Sequence, residues 1–376
     1  MRAVDKGRTT PWKIRRYQAG DEQAIVRLLT MAFRGRNYTL EYWRWKYKEN
    51  PAGSSIVWLA ECDGKIIGHY GIIPVPMKMG NSYVMGSFST DAATHPMYQG
   101  QRVFSSLVNR AYLDVAENGI PLTYGVPQVR LGPVYKRYER AGHICYMRHM
   151  VKILNWNAAL GRYIDNELVT GTISHLLQNI HRPMSPPDES VGIEEISRFD
   201  NGIDRFWSEV SQRFTVIVRR DQTRLNWRYA DHPEDKHTIC TAVKDNRILG
   251  YCVLKIGPGK GRRKQENLRV GFVVDLLGIE EGIVGCLVRW AANWFEEHDV
   301  DVIACTMSEG HPYQRAFRSA GFVTYPLRNV ALKASINLPG TSIDERQTYS
   351  QALVLSQNYL LRNRGNWFMV FPGDGA

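Results

Sequence analysis

The 376-residue chain is short of several features that would settle its class at once. No apolar stretch approaches the roughly 20 residues that a membrane helix needs. The run GIVGCLV (282–288) meets Arg289 immediately, so no membrane span is expected. The opening MRAVDKGRTTPW has no apolar centre, and no secretory signal is expected. Six cysteines, at 62, 145, 240, 252, 286 and 305, form no C-x-x-C pair. That argues against a disulfide framework or a zinc site and for reduced core thiols in a cytoplasmic protein. None of the ten histidines stands at a metal-ligand spacing with Cys, Asp or Glu, so no metal is expected. Acidic balance is also missing, the net charge being +11. Such a field attracts nucleic acid, an acidic membrane surface or a phosphorylated small molecule. No regular interleaving of aromatic and basic residues points to nucleic acid, which is not expected as a partner. The densest basic stretch, GKGRRKQENLR (259–269), lies between two strand-like segments and reads as a solvated loop.

What is present is globular. Hydrophobic residues make up 44% and charged residues 23%, and the length suits two domains. One phrase is written twice: WKYKENP (45–51) and WRYADHP (227–233) stand 182 positions apart. At the same offset DGKIIGHYGI (63–72) meets DNRILGYCVL (245–254), each reading as a tight turn between strands. GSFSTDAAT (86–94) then meets VGFVVDLLG (270–278), with Phe88 and Asp91 opposite Phe272 and Asp275. Helix-periodic stretches follow at 103–118 and 282–298, then a short strand, then PVYKRYERAGH (133–143) and PYQRAFRSAGF (312–322). The offset drifts only in loops, as a duplicated unit requires. The expected domains are 1–155, a helix and linker over 156–187, and 188–376, the last ending in a helix (DERQTYSQALVLSQ) and a strand (NWFMVFPG). Within the first, the pattern predicts a strand at WKIRRY, helices at DEQAIVRLLTMAF and TLEYWRWKY with Thr39 as cap, and strands near 55–62, 65–75 and 82–94. Helix 101–118, strand 121–126, helix 133–141 and strand 143–153 complete it. The fold class is α/β (α+β): two tandem domains, each a mixed, mostly antiparallel sheet flanked by helices.

The stretch DAATHPMYQGQRVFSSLV (91–108) takes a strand through Pro96 and Gly100 into a helix. Backbone N–H groups at such a helix N-terminus suit a pyrophosphate, and Gly100 permits close backbone approach. This strand–THPMYQGQRVF–helix order, followed by a strand and YERAG, resembles the GNAT superfamily of N-acyltransferases. The family pattern is (Gln/Arg)-x-x-Gly-x-(Gly/Ala); Gly100 keeps the first glycine, Met97 stands where Gln or Arg is usual, and Arg102 stands where Gly or Ala is usual.

The resemblance implies an acetyl-CoA (acyl-CoA) co-substrate and a small-molecule amine as acceptor, with direct attack by the amine. The fourth strand would splay from the fifth, with pantetheine bonded to the backbone of Ala93 and Thr94. The amides of Gln101, Arg102, Val103, Phe104 and Ser105 would hold the pyrophosphate, and the Arg102 side chain would either add a phosphate contact or crowd the loop. Fourth-strand amides would stabilise the oxyanion. Tyr138, on YERAG, would be the general acid, with Tyr135 as rival, and Asp91 the base, with Glu41 a weaker candidate. Asp91 is also open to a structural reading, because Asp275 takes its place in the second copy. By strand alternation Ser89 and Ala93 share the face of Asp91, and Thr90 and Ala92 take the other. The second copy puts Glu280 and Glu281 where phosphate would approach and Phe317 where Tyr138 stands. It reads as a non-catalytic copy that packs against the first and walls the acceptor site. An aminoacyl-tRNA-dependent transferase of the peptidoglycan-bridge type and a catalytically silent ligand-binding module are the alternatives.

Overall fold

The computed structural model describes residues 11–33, 37–126, 142–160, 191–258, 268–325, 331–336, 367–368 and 370–371. The chain divides into two compact units, one built chiefly from Met1–Ile144 and Ala331–Arg362, the other from Cys145–Val330 and Asn363–Asp374.

The first unit runs β1 (Lys13–Arg16), α1 (Glu22–Ala32), α2 (Leu40–Tyr47), β2 (Ile56–Cys62), β3 (Lys65–Met79), β4 (Ser82–Thr94), α3 (Val103–Glu117) and β5 (Leu122–Gly125). Its sheet order is β1-β2-β3-β4-β5, closed by the strand Ala331–Ile336 against β5. Only the β4–β5 pair is parallel. The β2–β3 turn works because Asp63 and Gly64 both take positive φ (48° and 71°), the twist a two-residue hairpin demands. The helix α3 buries Val103, Leu107, Val108, Ala111 and Val115, spaced at three and four, against Trp58, Ala60, Tyr70 and Ile72. The helix α2 lies on the other face. A Cβ on Gly71 would strike the Tyr47 ring, whereas one on Gly68 would strike Val103 and Leu107 of α3. An odd separation along β3 puts the two on opposite faces.

The second unit contains β6 (Gly142–Ile153, from Cys145 on), β7 (Gly192–Ile196), β8 (Val216–Val218), β9 (Thr238–Lys244), β10 (Arg247–Pro258), β11 (Arg269–Gly278) and β12 (Val302–Ser308). Its sheet order is β7-β9-β10-β11-β12-β6, with β11–β12 parallel and the other pairs antiparallel among the described residues; β8 pairs in parallel with Trp367–Phe368. The helix Glu281–Glu297 buries Ile283, Val284, Leu287, Val288, Ala291 and Phe295 in the core.

The two sheets thus share one strand order. Their sixth strands are exchanged relative to the sequence. Strand 143–153, which sequence order assigns to the end of the first copy, makes its ladder with β12, Ile153 to Met147 against Val302 to Ser308. The sixth strand of the first sheet comes instead from 331–336, beyond the second copy. No sequence periodicity encodes that exchange, because either strand satisfies the same antiparallel edge. Of the helix and linker expected over 156–187, Trp156–Leu160 is helical and 161–187 lies outside the described residues, as do the expected helices 133–141 and 344–357.

Candidate active site

The fourth strand is interrupted at Asp91. Its ladder with β3 pairs Ala93 with His69 and Thr90 with Gly71, so Asp91 and Ala92 together oppose the single residue Tyr70. Asp91 takes φ +52°, in the left-handed region where a carboxylate side chain can bond locally. The bulge breaks the alternation expected from sequence: Thr90 and Asp91 meet the same partner. Lys46 Nζ donates to Thr90 Oγ1 at 2.9 Å and pairs with Asp91 Oδ2 at 2.8 Å. Tyr47 Oη donates to Asp91 Oδ2 at 2.7 Å, and Tyr38 Oη to Oδ1 at 3.0 Å. Gly71 makes the Tyr47 contact possible, since any Cβ there would collide with the Tyr47 hydroxyl.

The Asp91 side chain is 8% exposed. Burial alone would raise its pKa, but the Lys46 charge and the hydrogen bonds from Lys46 and Tyr47 outweigh it and hold the carboxyl well below the usual range. In return burial and the Asp91 charge push the Tyr47 phenol well above its ordinary value. Asp91 is therefore a saturated carboxylate, ionised and poor at accepting a proton.

Beside it stands His69, 1% exposed. Its Nδ1 lies 2.7 Å from the backbone oxygen of Asp91. A carbonyl oxygen only accepts, so Nδ1 carries the proton and Nε2 carries the lone pair. Nε2 has no hydrogen-bond partner among the described residues. Burial pushes the imidazole below its usual value, and Lys46 pushes the same way, against the pull of Asp91. The ring is therefore neutral at pH 7.

At its far end the parallel ladder of β4 with β5 stops at Phe88–Tyr124, while β4 continues through Ala93 and Thr94. Residues 95–102 then lead to α3. His95 Nδ1 accepts from Met97 N, capping a short 3-10 turn at Pro96–Tyr98. Gly100 takes φ +80° with nothing near its missing Cβ, and Arg102, the N-cap of α3, takes φ +62°. Arg102 is thus a residue with a Cβ held in the left-handed region, where only glycine is free of strain. The Arg102 side chain is exposed and makes no capping bond, while Arg102 O accepts from Ser106 N and Ser105 Oγ. Gln101, Arg102, Val103, Phe104 and Ser105 are thus gathered at the first turn of α3, where backbone N–H groups point out of the helix.

The second unit repeats the scaffold with different partners. Asp275 also sits at an irregularity, between the register pairs Val253–Asp275 and Leu254–Val273. Tyr229, the counterpart of Tyr47, donates to Asp275 Oδ2 at 3.0 Å, but Arg220 supplies the charge, at 3.2 Å. Tyr251, the counterpart of His69, is fully buried and spends its hydroxyl on Asp275 Oδ2 at 2.9 Å. Only residues 279–280 separate β11 from the following helix, and the exposed Glu280 and Glu281 stand at its start. Phe317 is completely buried against Phe322.

Of the residues expected from sequence, Ala93 and Thr94 lie at the end of β4, Gly100 to Ser105 lie together at the α3 N-terminus, and Glu41 is exposed on α2. Tyr138 and Tyr135 lie outside the described residues. Sequence reasoning missed His69 and Lys46. The signal for the first was in the aligned repeat, where His69 falls opposite Tyr251, the kind of exchange that marks a change of job at a shared position.

Residues 13–141 match the family model described as an acetyltransferase (GNAT) domain. No curated protein matches the sequence significantly. Among solved structures, a probable N-acyltransferase of unknown function from Enterococcus faecalis is similar over 87% of this chain and 73% of its own, at TM-score 0.63 and 11% identity. A GCN5-related N-acetyltransferase from Anabaena variabilis gives TM-score 0.61 and 12% identity, covering 87% and 73%. The N-myristoyltransferase of Saccharomyces cerevisiae, with bound myristoyl-CoA, gives TM-score 0.61 and 13% identity, covering 89% and 83%.

Proposed function

We propose that this chain, whose residues 13–141 match the acetyltransferase (GNAT) domain model, is an acyltransferase that moves an acetyl group from acetyl-CoA to the amine of a small molecule. The observation that carries the reading is the loop 95–102, which ends in two left-handed residues at the uncapped start of α3. A helix N-terminus with outward amides and a positive dipole end suits a pyrophosphate, and the net charge of +11 favours an anionic donor. In this reading the amides of Gln101 to Ser105 hold the pyrophosphate and the backbone of Ala93 and Thr94 lines up the thiol arm. Fourth-strand amides stabilise the oxyanion, and Tyr138 gives its proton to the departing thiolate. A phenol suits that step because it keeps its proton near pH 7 and lies above a thiol in pKa.

Asp91, saturated by three donors, holds the bulge in place, and the proton of the amine leaves beside it. The second unit has a structural role, since the carboxylates of Glu280 and Glu281 repel phosphate and Phe317 has no proton to give. The buried, free cysteines among the described residues fit a reducing compartment, and we place the reaction in the cytoplasm. The test is thiol release from acetyl-CoA with a panel of amino sugars, polyamines, antibiotics and amino acids. Amine-dependent release supports the reading; tight acetyl-CoA binding without release for any amine contradicts it.

A further inference from the structure

We propose that His69 is the proton acceptor for the attacking amine, through its Nε2 lone pair. The inference rests on the acyl-transfer reading and names the group that reading leaves open. Four observations carry it. His69 stands in register with Ala93 on the fourth strand, one step beyond the bulge. Its tautomer is fixed, because Nδ1 donates to the Asp91 carbonyl at 2.7 Å and leaves Nε2 as the lone-pair atom. That atom is buried and without a partner among the described residues, in a position where an unsatisfied lone pair costs free energy unless something uses it. And the second unit, whose corresponding helix starts at the exposed Glu280 and Glu281, has at this position Tyr251, whose hydroxyl donates to Asp275.

The neighbours decide the protonation state. From β4 the Asp91 backbone and carboxylate favour the imidazolium. From α2 the Lys46 ammonium opposes it, and the Tyr47 ring packs edge-on at 5.6 Å with its phenol protonated. From β2 the register partner is the apolar Leu59. The helix α1 packs on β3, and its buried residues are Ile25, Leu28 and Leu29. Desolvation dominates, and His69 is neutral at physiological pH, as an acceptor must be.

The step balances simply. The amine nitrogen bonds to the thioester carbonyl carbon and the carbon–sulfur bond breaks. The surplus proton on nitrogen passes to His69 Nε2, and the thiolate takes a proton from Tyr138. Release of the His69 proton to solvent and reprotonation of Tyr138 restore the starting state. Asp91 acts through His69 as a positioning residue, its carbonyl fixing which nitrogen is free.

The test has two parts on the full chain. Nitrogen-15 NMR of labelled histidine, His69 being assigned by His69→Gln, reads the tautomer and titration of the wild type without substrate. The expected result is an Nδ1–H neutral ring titrating below 6.5; an Nε2–H ring, or a ring still charged at pH 7, overturns the inference whatever the acceptor. The second part follows amine-dependent thiol release against pH. His69→Gln keeps a donor for the Asp91 carbonyl but offers no basic nitrogen. It is expected to lower kcat/KM by about 100-fold and to erase the acidic limb of the profile, with acetyl-CoA affinity by calorimetry unchanged. A variant that binds acetyl-CoA and keeps the wild-type rate and limb overturns the assignment. Absence of turnover in the wild type would instead strike the acyl-transfer reading, and the NMR result alone would then decide whether His69 carries the free lone pair.

Discussion

The two fourth strands, β4 and β11, are built on the same plan and differ in what they leave unsatisfied. Each carries an aspartate at an irregularity, each aspartate takes a hydroxyl from the Tyr of the repeated W-basic-Y phrase, and each is paired with a buried cation. In β11 Arg220, Tyr229 and Tyr251 all donate to Asp275. In β4 the position of Tyr251 is taken by His69, which turns its proton to a backbone oxygen and leaves a lone pair over. The following loops differ in the same sense. Residues 95–102 make an outward turn with two left-handed residues, whereas 279–280 pass straight into a helix headed by two glutamates. A shared polar network therefore holds the scaffold of both units, and the two units differ at the position of His69 and in the loop that follows the fourth strand.

The largest expected effect breaks what the units share. Asp91→Asn and Asp275→Asn each leave a buried cation without its partner, and each should cost about 3–5 kcal/mol of stability at pH 7 in denaturant unfolding. Lys46→Met added to Asp91→Asn should recover much of the first loss. The Asp91 effect has a pH signature. Its pKa is depressed in the folded state, so its contribution is complete above the ordinary carboxylate value of about 3.9 and is lost as pH falls toward its own lower value. Wild type and Asp91→Asn should thus converge in stability only in acid. A difference that persists unchanged to pH 2 would contradict the ion-pair account.

The next effect separates the units. Tyr138→Phe should lower kcat by about 100-fold, near 2.7 kcal/mol of barrier, with acetyl-CoA affinity unchanged. Phe317→Tyr in the second unit should add no activity. Unchanged turnover in folded Tyr138→Phe would remove Tyr138 from the mechanism. Smaller again is Tyr251→Phe, which takes one of several donors from Asp275 and should cost about 1–2 kcal/mol of stability with kcat untouched. The smallest is Arg102→Gly, which relieves a left-handed non-glycine residue and should raise stability by about 1 kcal/mol, read as a higher Tm. A lower Tm would mean that the Arg102 side chain contributes more than its backbone strain costs.

How much of this was legible in the sequence follows from which interactions are local. Turn and cap chemistry is local: the Asp63–Gly64 hairpin and the Thr39 cap, which accepts from Tyr42 N at 3.1 Å, sit where the sequence predicts them. The strands β2 and β4 and the helix α3 fall within two residues of their expected bounds, because apolar spacing sets them. The bulge at Asp91 was hidden, since the alternation argument assumes an even ladder and only the pairing with Tyr70 shows the extra residue. The exchanged sixth strands were hidden for a related reason: the edge of β12 accepts either segment by the same backbone bonds. The repeated phrase was read as core packing, and Trp45, Trp227, Tyr47 and Tyr229 are indeed buried. Its tyrosine hydroxyls and Lys46 carry a second task, the aspartate network, which residue spacing cannot reveal.

The central claim is that one unit of the two binds the donor, at the α3 N-terminus. Calorimetry of the full chain with acetyl-CoA tests it directly. We expect one acetyl-CoA per chain and at least a tenfold loss of affinity in Gly100→Asp, which gives the first loop the negative charge that the second unit already carries. Glu280→Gln should change nothing. Two acetyl-CoA per chain, no binding, or undiminished affinity in Gly100→Asp would contradict the account.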